Sequence, residues 1–501
     1  MDTDVAVIGA GPAGLMLAAE LHAWGVSTVV LEARTAIDDR LRAPSITART
    51  IEAVERHGLL ERLVERIAEY EGELGRHTDI RSDVRVDGVR SLPIRQELLE
   101  RVLNEHLLAS GVEPRRGRRV TRVRDQGDLV EVHLIEPDGG TGTLTARFAV
   151  GCDGARSVVR ESAGIGFPGV DPTLTGYQAE VTLADPEALP QGWHRTPAGI
   201  FATDRYANGL VNVISIEFTG PPPRRAGEVT LEEVAASLRR TSGRDVRLTG
   251  AKSLTRFTDN ERLATTYRSG RLLLAGDAAH VHAPFGGYGL NLGVQDAVNL
   301  GWKLAAVLHG WAGPDLLDTY TAERRPVAAR MQRTARGSVT LLDPAHEAAW
   351  ELFRELQRLG EARRYMHEKT AMVHVRYDIG DPIGAPHPLL GRTPRDLELR
   401  DPRGRDGRRP LSQVMRAGRG LLLTFAGADP ATAEAAAPWR DRVDHRVAEV
   451  HPESAEADLF AAVRALLLRP DGFVVWVDAA VPDDGGTLRA ALRRWYGPAT
   501  A

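Results

Sequence analysis

The stretch that most limits how this chain can fold is Val5-Ala6-Val7-Ile8, followed at once by Gly9-Ala10-Gly11-Pro12-Ala13-Gly14 and the helical run LMLAAELHAWG. A short apolar strand, a GxGxxG turn and a helix make one unit of an α/β domain. The first glycine makes the turn, the second lets a pyrophosphate approach the backbone, and the third lets helix and strand pack closely. A second apolar run, Thr28-Val29-Val30-Leu31, ends at Glu32, whose carboxylate is placed to accept from ribose hydroxyls and would repel a 2′-phosphate. Dinucleotide binding follows from the four features together.

A second strand-loop-helix unit lies at Gly276–Leu304, GDAAHVHAPFGGYGLNLGVQDAVNLGWKL. The run Leu272–Leu273–Leu274–Ala275 stops at a Gly-Asp pair, so a buried strand ends on the carboxylate of Asp277. Gly286, Gly287, Gly289 and Gly293 then let backbone amides face a flat or phosphorylated ligand. The helix after them carries Val294, Ala297, Val298, Leu300, Leu304 and Val307 at helical spacing. A third carboxylate-glycine pair, Asp153-Gly154, closes an apolar strand and precedes ARSVVRESAG with Arg156 and Arg160; an Asx-turn is an equally good account of that aspartate.

At 501 residues and 43% hydrophobic content, the chain can bury a large core and should hold two or three domains. A net charge of −4 gives no general attraction to nucleic acid, no run has the length of a membrane span, and the chain begins in a strand, so a cytoplasmic protein is expected. Cys152 is the single cysteine, which excludes an intrachain disulfide and a cysteine metal cluster.

Between the motifs, Arg40, Arg42 and Arg49 precede or open an amphipathic helix carrying Ile51, Val54, Leu59, Leu60 and Leu63. Residues 75–94 read as short strands with a turn at Asp87-Gly88, and Gln96 precedes the helix ELLERVLNEHLLASG. Residues 176–250 alternate as an antiparallel sheet in EVTL, GLVNVISIEF and VRLTG, interrupted by a loop, ADPEALPQGWHRTPAG, and the helix LEEVAASLRRT. His280 and His282 beside the second glycine loop read more readily as hydrogen-bonded structural residues than as catalysts.

GAGPAG with Glu32, DGARSVVR at Asp153–Arg160, and the Gly276–Leu304 string strongly resemble the three ordered motifs of the single-component FAD-dependent aromatic hydroxylases, the para-hydroxybenzoate and phenol hydroxylase family. The resemblance covers residues 1–385 and is nearest to actinobacterial polyketide hydroxylases and rifampicin-type monooxygenases. It implies a Rossmann-like FAD-binding domain in two parts, 1–175 (with a short substrate-side insert near 75–95) and 255–385. An inserted antiparallel substrate sheet would span 176–254, and a C-terminal thioredoxin-like domain without CxxC would span 386–501. It implies that Gly9, Gly11, Ala13 and Gly14 take the FAD pyrophosphate and Glu32 the ribose. Arg40, Arg42, Gln96 and Val120 would touch the cofactor, Asp277 the ribityl or phosphate region, and Gly289, Leu290 and Asn291 the isoalloxazine. Asp153 would serve both FAD and the nicotinamide, Pro284 would face the flavin, and Arg42 would be the polar group on the substrate side. Tyr288 stands where the family pattern has Gln.

The activity so implied is hydroxylation of a polycyclic phenol, with NADPH or NADH as a transient co-substrate and O₂ activated as the flavin C4a-hydroperoxide. A Baeyer–Villiger or antibiotic-inactivating oxygenation and a non-catalytic FAD-binding role stay open beside it. No metal, membrane or nucleic-acid partner is expected, and the protein would be a monomer or homodimer.

Overall fold

The computed structural model describes the whole chain except residues 74–84, 87–88, 221–226, 382, 396, 403–406, 455, 480–484 and 501; the Asp87-Gly88 turn lies outside the described residues. Its first layer is a largely parallel sheet in which Leu272–Leu274, Thr141–Gly151, Thr3–Ile8, Thr28–Glu32 and Arg115–Arg116 lie side by side. Arg119–Asp125 and Val130–Ile135 extend it as an antiparallel excursion. The parallel strands are buried on both faces: Val5, Ala6, Val7, Val30, Ala149, Val150, Leu273 and Leu274 have no exposed surface. That is why they read as continuous apolar runs rather than as alternation. The helices Pro12–Ala23 and Tyr288–Leu308 pack against each other, and Gly301 lets them approach. A Cβ there would lie 2.5 Å from the Glu20 Cβ. Where one amphipathic helix was expected after Arg49, there are two, Ala48–Arg56 and Leu60–Glu73. Gly58, at a φ of 69°, turns the chain between them.

The second layer is a five-stranded antiparallel sheet in the order Gly192–Thr196, Gly199–Arg205, Val211–Glu217, Thr175–Leu183, Leu248–Thr258. The helix Leu231–Ser242 covers one face, its capping box at Thr230 and Glu233 fixing where it starts. The expected loop ADPEALPQGWHRTPAG is partly strand: GWHRT pairs with Gly199–Arg205 as the sheet edge. Trp193 on that edge is 62% exposed, so the stretch lacks the buried alternation by which a strand is read.

The C-terminal segment holds a four-stranded sheet ordered Val443–Val447, Gly420–Thr424, Ala465–Leu468, Val474–Asp478, with the first pair parallel and the others antiparallel. It joins the first layer through a buried charge cluster. Arg469 donates to both oxygens of Glu323 at 2.7 and 2.8 Å and to Asp471, while Lys303 Nζ lies 2.8 Å from Glu323. Asn299 donates to Glu323 at 2.7 Å and to Asp471 at 3.1 Å. The two cations and two anions cancel. Burial pushes the Glu323 carboxyl up, but Arg469 and Lys303 outweigh it and hold the group at about 2; burial lowers Lys303 to about 8. Trp302, Trp495, Tyr377 and Phe473 surround the Arg469 guanidinium at 4.8 to 5.6 Å.

Arg469→Ala leaves Asp471 without its cation and Glu323 with Lys303 alone, so one buried negative charge is uncompensated, and we expect it to destabilise the protein by about 3–5 kcal/mol in urea unfolding. Arg62→Ala, at a surface pair with Glu105, should cost less than about 1 kcal/mol in the same measurement.

Candidate functional site

The sheet register brings the three motifs to one edge. Ile8 pairs with Leu31 on one side and with Gly151 on the other, and Gly151 pairs with Leu274. The residues that follow this row are therefore Gly9, Glu32, Asp153 and the Gly276–Asp277 turn, at the carboxyl ends of neighbouring strands. Ligands of open α/β sheets bind in that position.

Gly9, at a φ of 108°, packs on the next strand's end; a Cβ on it would lie 2.3 Å from the Cys152 carbonyl oxygen. Gly14 is equally confined, 1.9 Å from the Gly9 carbonyl oxygen by the same construction, whereas a Cβ on Gly11 would meet nothing within 4 Å. The space is thus open at the middle glycine alone. The helix begins at Pro12 with no side-chain cap, so its first amides, Ala13 among them, face that opening unsatisfied. Glu32 accepts from the Ala10 amide at 2.7 Å and the Arg34 amide at 2.8 Å, which orients its carboxylate at the edge while each oxygen keeps a free lone pair.

Asp153 is turned inward: one oxygen accepts from the Val158 and Val159 amides at 2.7 and 3.3 Å, the other is buried without a partner, and burial raises its pKa. Arg160 links this motif to the next, donating to the Ala278 carbonyl at 3.0 Å while lying 3.8 Å from the Phe167 ring centroid. Asp277 is exposed beside the start of the Tyr288 helix, which also lacks a side-chain cap. A methyl on Gly289 would lie 3.6 Å from His282 Nε2 and 4.0 Å from Asp277 Oδ1, so these groups frame one gap. His282 Nδ1 lies 2.8 Å from the Ala283 carbonyl and must donate to it, leaving Nε2 as a buried, unpartnered acceptor; burial lowers the pKa of the ring. Leu290 is buried. Asn291 spends its side chain on structure, accepting from the Thr47 amide at 3.0 Å and donating to the Ser45 and Gly287 carbonyls. The Tyr288 ring is 2% exposed and packs with Phe285 and Leu292, so it fills the core and leaves Pro284 and Gly286 outward.

Arg40 and Arg42 converge on Asp38 at 2.7 and 2.8 Å; burial raises that carboxyl, but the two guanidiniums bring it well below its usual range. Gln96 donates to Glu100 at 2.8 Å. Val120 stands apart, buried within the strand Arg119–Asp125.

Several residues that organise this edge were not expected from sequence. Asp296 accepts from the Gly276 amide at 3.0 Å, from His280 Nε2 at 2.6 Å and from Arg324 at 2.7 Å. Arg324 reaches on to the Tyr377 hydroxyl at 3.0 Å. Glu100 is a buried carboxyl that burial pushes up to about 7, with Gln96 and Arg42 opposing. Arg95 donates to Glu180 at 2.7 Å and to the Tyr70 hydroxyl at 2.7 Å, joining the second sheet to this edge. A signal was present for Asp296: with Asn299 and Lys303 it recurs at spacings of three and four in an otherwise apolar helix, so one buried stripe needs polar partners.

The glycine contacts separate two roles. Gly9→Ala should fail to yield stable protein, while Gly11→Ala should give apoprotein with unchanged thermal unfolding that retains little FAD, read as flavin absorbance per protein. Glu100 supplies a pH effect. A carboxyl raised from 4.5 to about 7 on folding is neutral in both states at low pH. Its penalty grows as pH rises from 4.5 through about 7 and is complete above. Glu100→Gln should therefore match the wild-type apoprotein below about pH 4.5 and exceed it by up to about 3 kcal/mol near pH 8, read by urea unfolding.

Comparison with known proteins agrees with this geometry. Residues 2–335 match the model of the FAD binding domain and residues 387–499 that of the aromatic-ring hydroxylase C-terminal region. The chain is 41% identical to the 12-dehydrotetracycline 5-monooxygenase/anhydrotetracycline 6-monooxygenase of Streptomyces rimosus, with 99% of each chain covered. It is 40% identical to a rifampicin monooxygenase of Streptomyces venezuelae, again over 99% of each. The crystal structure of an aromatic hydroxylase from angucycline biosynthesis superposes with a TM-score of 0.86 at 34% identity, covering 100% of both chains. The open middle glycine, the edge carboxylates of Glu32 and Asp277 and the two uncapped helix starts fit FAD, and the chain belongs to the FAD-dependent aromatic-ring hydroxylases.

Proposed function

We propose that the protein is an NAD(P)H- and O₂-dependent monooxygenase that hydroxylates a polycyclic phenol of the aromatic-polyketide type. The observation that carries this reading is the meeting of three motifs at one sheet edge, to which the second sheet is tied through Arg95 and Glu180. The family relationship supports it, as do relatives directed at tetracycline intermediates. The domain division that fits best is an FAD-binding unit of 1–175 and 255–385, a substrate sheet of 176–254 and a thioredoxin-like unit of 386–501. The C-terminal strand order and pairing described above support the last assignment.

In this reading Gly9, Gly11, Ala13 and Gly14 hold the pyrophosphate and Glu32 the adenosine ribose. Arg40, Arg42 and Gln96 flank the same cofactor, with Val120 and Asp153 as supporting positions behind it. Asp277, Gly289, Leu290 and Asn291 border the ribityl chain and the isoalloxazine, with Pro284 on the outward side of the loop. Bound FAD, reduced by NADPH or NADH, supplies the activation of O₂ that puts one oxygen atom on the ring. The chain contributes orientation and exclusion of water. Phe285 of the loop and Ile216 and Ile200 of the second sheet are buried in one apolar cluster, which would help exclude water. His282 Nε2, a neutral acceptor beside Gly289, would take a hydrogen bond from a donor bound there. Arg42 presents a guanidinium whose carboxylate partner, Asp38, is shared with Arg40, so it can be drawn to an anionic phenol without leaving Asp38 uncompensated.

The test is anaerobic stopped-flow reduction of the flavoprotein by NADPH and by NADH, with and without hydroxylated anthraquinones, followed by mass analysis after oxygen is admitted. A phenol-dependent acceleration and a product heavier by one oxygen atom are expected. Ring-expanded product would shift the reading to Baeyer–Villiger chemistry, and full FAD content without any reduction would end the monooxygenase reading.

A further inference from the structure

The second sheet shows which part of a substrate it can read. Alternation assigns its two faces without ambiguity. Tyr177, Ala179, Val181 and Val213 pack with Val234 and Leu238 of the covering helix, Ser215 bonds Ser237 at 2.7 Å, and Arg256 bonds Glu233 at 2.8 Å. The residues between them therefore point the other way, toward the motif edge.

On that inner face the register sets out three rows. At one end Gly176 lies between Ile216 and Phe257, and the Phe257 ring occupies the space a Gly176 side chain would take, 2.1 Å from an ideal Cβ. Ile216 is buried in the same apolar cluster as Phe285 and Tyr288 of the second glycine loop. At the other end Glu180 lies between Asn212 and Ser253 and is closed off by Arg95. The middle row places Gln178 between Ile214 and Thr255.

The polar groups of that middle region are unmatched. Thr255 Oγ1 and, one row on, Asn212 Oδ1 are buried atoms without a hydrogen-bond partner, and no described residue bonds the Gln178 amide. A buried hydroxyl or amide left unpaired costs about 1–3 kcal/mol, and two such atoms on one face, on the strands either side of Thr175–Leu183, point to an extended ligand that satisfies both. Among the described residues, the charged groups bordering the same face are already matched. Arg95 is held by Glu180, and Arg195, at the sheet edge, donates to Glu347 and to the Leu342 and Asp343 carbonyls. Lys252 is 4.0 Å from Glu180, and Arg336 sits with Asp259 and Glu261 beyond the apolar row.

We propose that Gln178, Thr255 and Asn212, which lie in two adjacent rows, form a neutral recognition patch that takes the hydroxyl, ketone or carboxamide edge of the substrate, and that the site rejects a ring carrying a carboxylate. The inference rests on the reading of this face as the substrate wall. A carboxylate here would be desolvated beside the Glu180 charge, and among the described residues of this face no cation is left free to pair with it. A phenol or ketone instead meets donors and acceptors spread over three adjacent strands.

The experiment is equilibrium binding to the oxidised holoenzyme without nicotinamide, read by flavin absorbance and fluorescence. The probes are a methyl-substituted dihydroxyanthraquinone, the same compound with the methyl oxidised to carboxylate, and the methylanthraquinone lacking both hydroxyls. We expect the neutral dihydroxy compound to bind at least about ten-fold more tightly than the carboxylate. Thr255→Val and Gln178→Leu should each weaken it about three- to ten-fold, leaving FAD content and affinity for the non-hydroxylated compound unchanged, and Thr255→Ser should restore it. Equal or tighter binding of the carboxylate, equal losses for hydroxylated and non-hydroxylated probes, or no saturable binding of the neutral compound would overturn the proposal. Because no turnover is involved, the expected binding pattern in a protein that nicotinamides fail to reduce would retain this inference while ending the monooxygenase reading.

Discussion

The Asp296 carboxylate is the interaction on which most of the site rests. It is fully enclosed, and burial alone would push its pKa up, yet His280 and Arg324 hold it below the ordinary carboxylate range. Its hydrogen bond to the Gly276 amide fixes the turn that presents Asp277, and its ion pair commits Arg324 to the same place. A buried charge of this kind is a poor source of net stability but a strict source of position, because removing any partner leaves an uncompensated group in a dry interior. The consequence reaches the C-terminal segment. Tyr377, which receives the third bond of the chain, stacks on Phe473 at 3.9 Å, and Phe473 borders the Arg469 cluster. The loop that borders the isoalloxazine in the proposed reading is therefore braced from behind by a tail that carries no redox-active cysteine.

Most of the geometry of the candidate site's edge was legible in sequence because the backbone imposes it. A glycine at φ 108° and a carboxylate at a strand end are local requirements, and local requirements leave local marks such as GAGPAG and GDAAH. The antiparallel sheet was legible for the same reason wherever one face is covered. What escaped were long-range pairs. Arg95 with Glu180, and Lys303 and Glu323 with Arg469, join positions far apart in the chain, and nothing around any single partner announces the other. In a chain this rich in arginine, a committed guanidinium looks like a solvated one. The break at Gly58 and the edge strand GWHRT escaped for a simpler reason. One ends a helix inside a continuing apolar periodicity, and the other belongs to a strand whose Trp193 faces solvent.

The two layers differ in how they are held, and that difference bears on function. The cofactor layer is fixed through two buried charge clusters and two glycine-mediated helix contacts, at Gly301 and where Gly276, Gly293 and Ala13 meet. The antiparallel sheet joins it through fewer polar links, chiefly Arg95 with Glu180 and Arg195 with the segment at Leu342–Asp343, plus the apolar row that includes Ile200 and Ile216. Substitutions on the inner face between those links disturb no buried charge, so its side chains can change while the floor beneath stays in place. A fold that hosts oxygenation of quite different polycyclic molecules needs that division: the reacting centre must be constant and the recognising wall replaceable. In the proposed reading the wall of this chain presents neutral groups between its matched charges, which would suit a substrate whose charge develops at the phenol rather than at the edge facing the sheet.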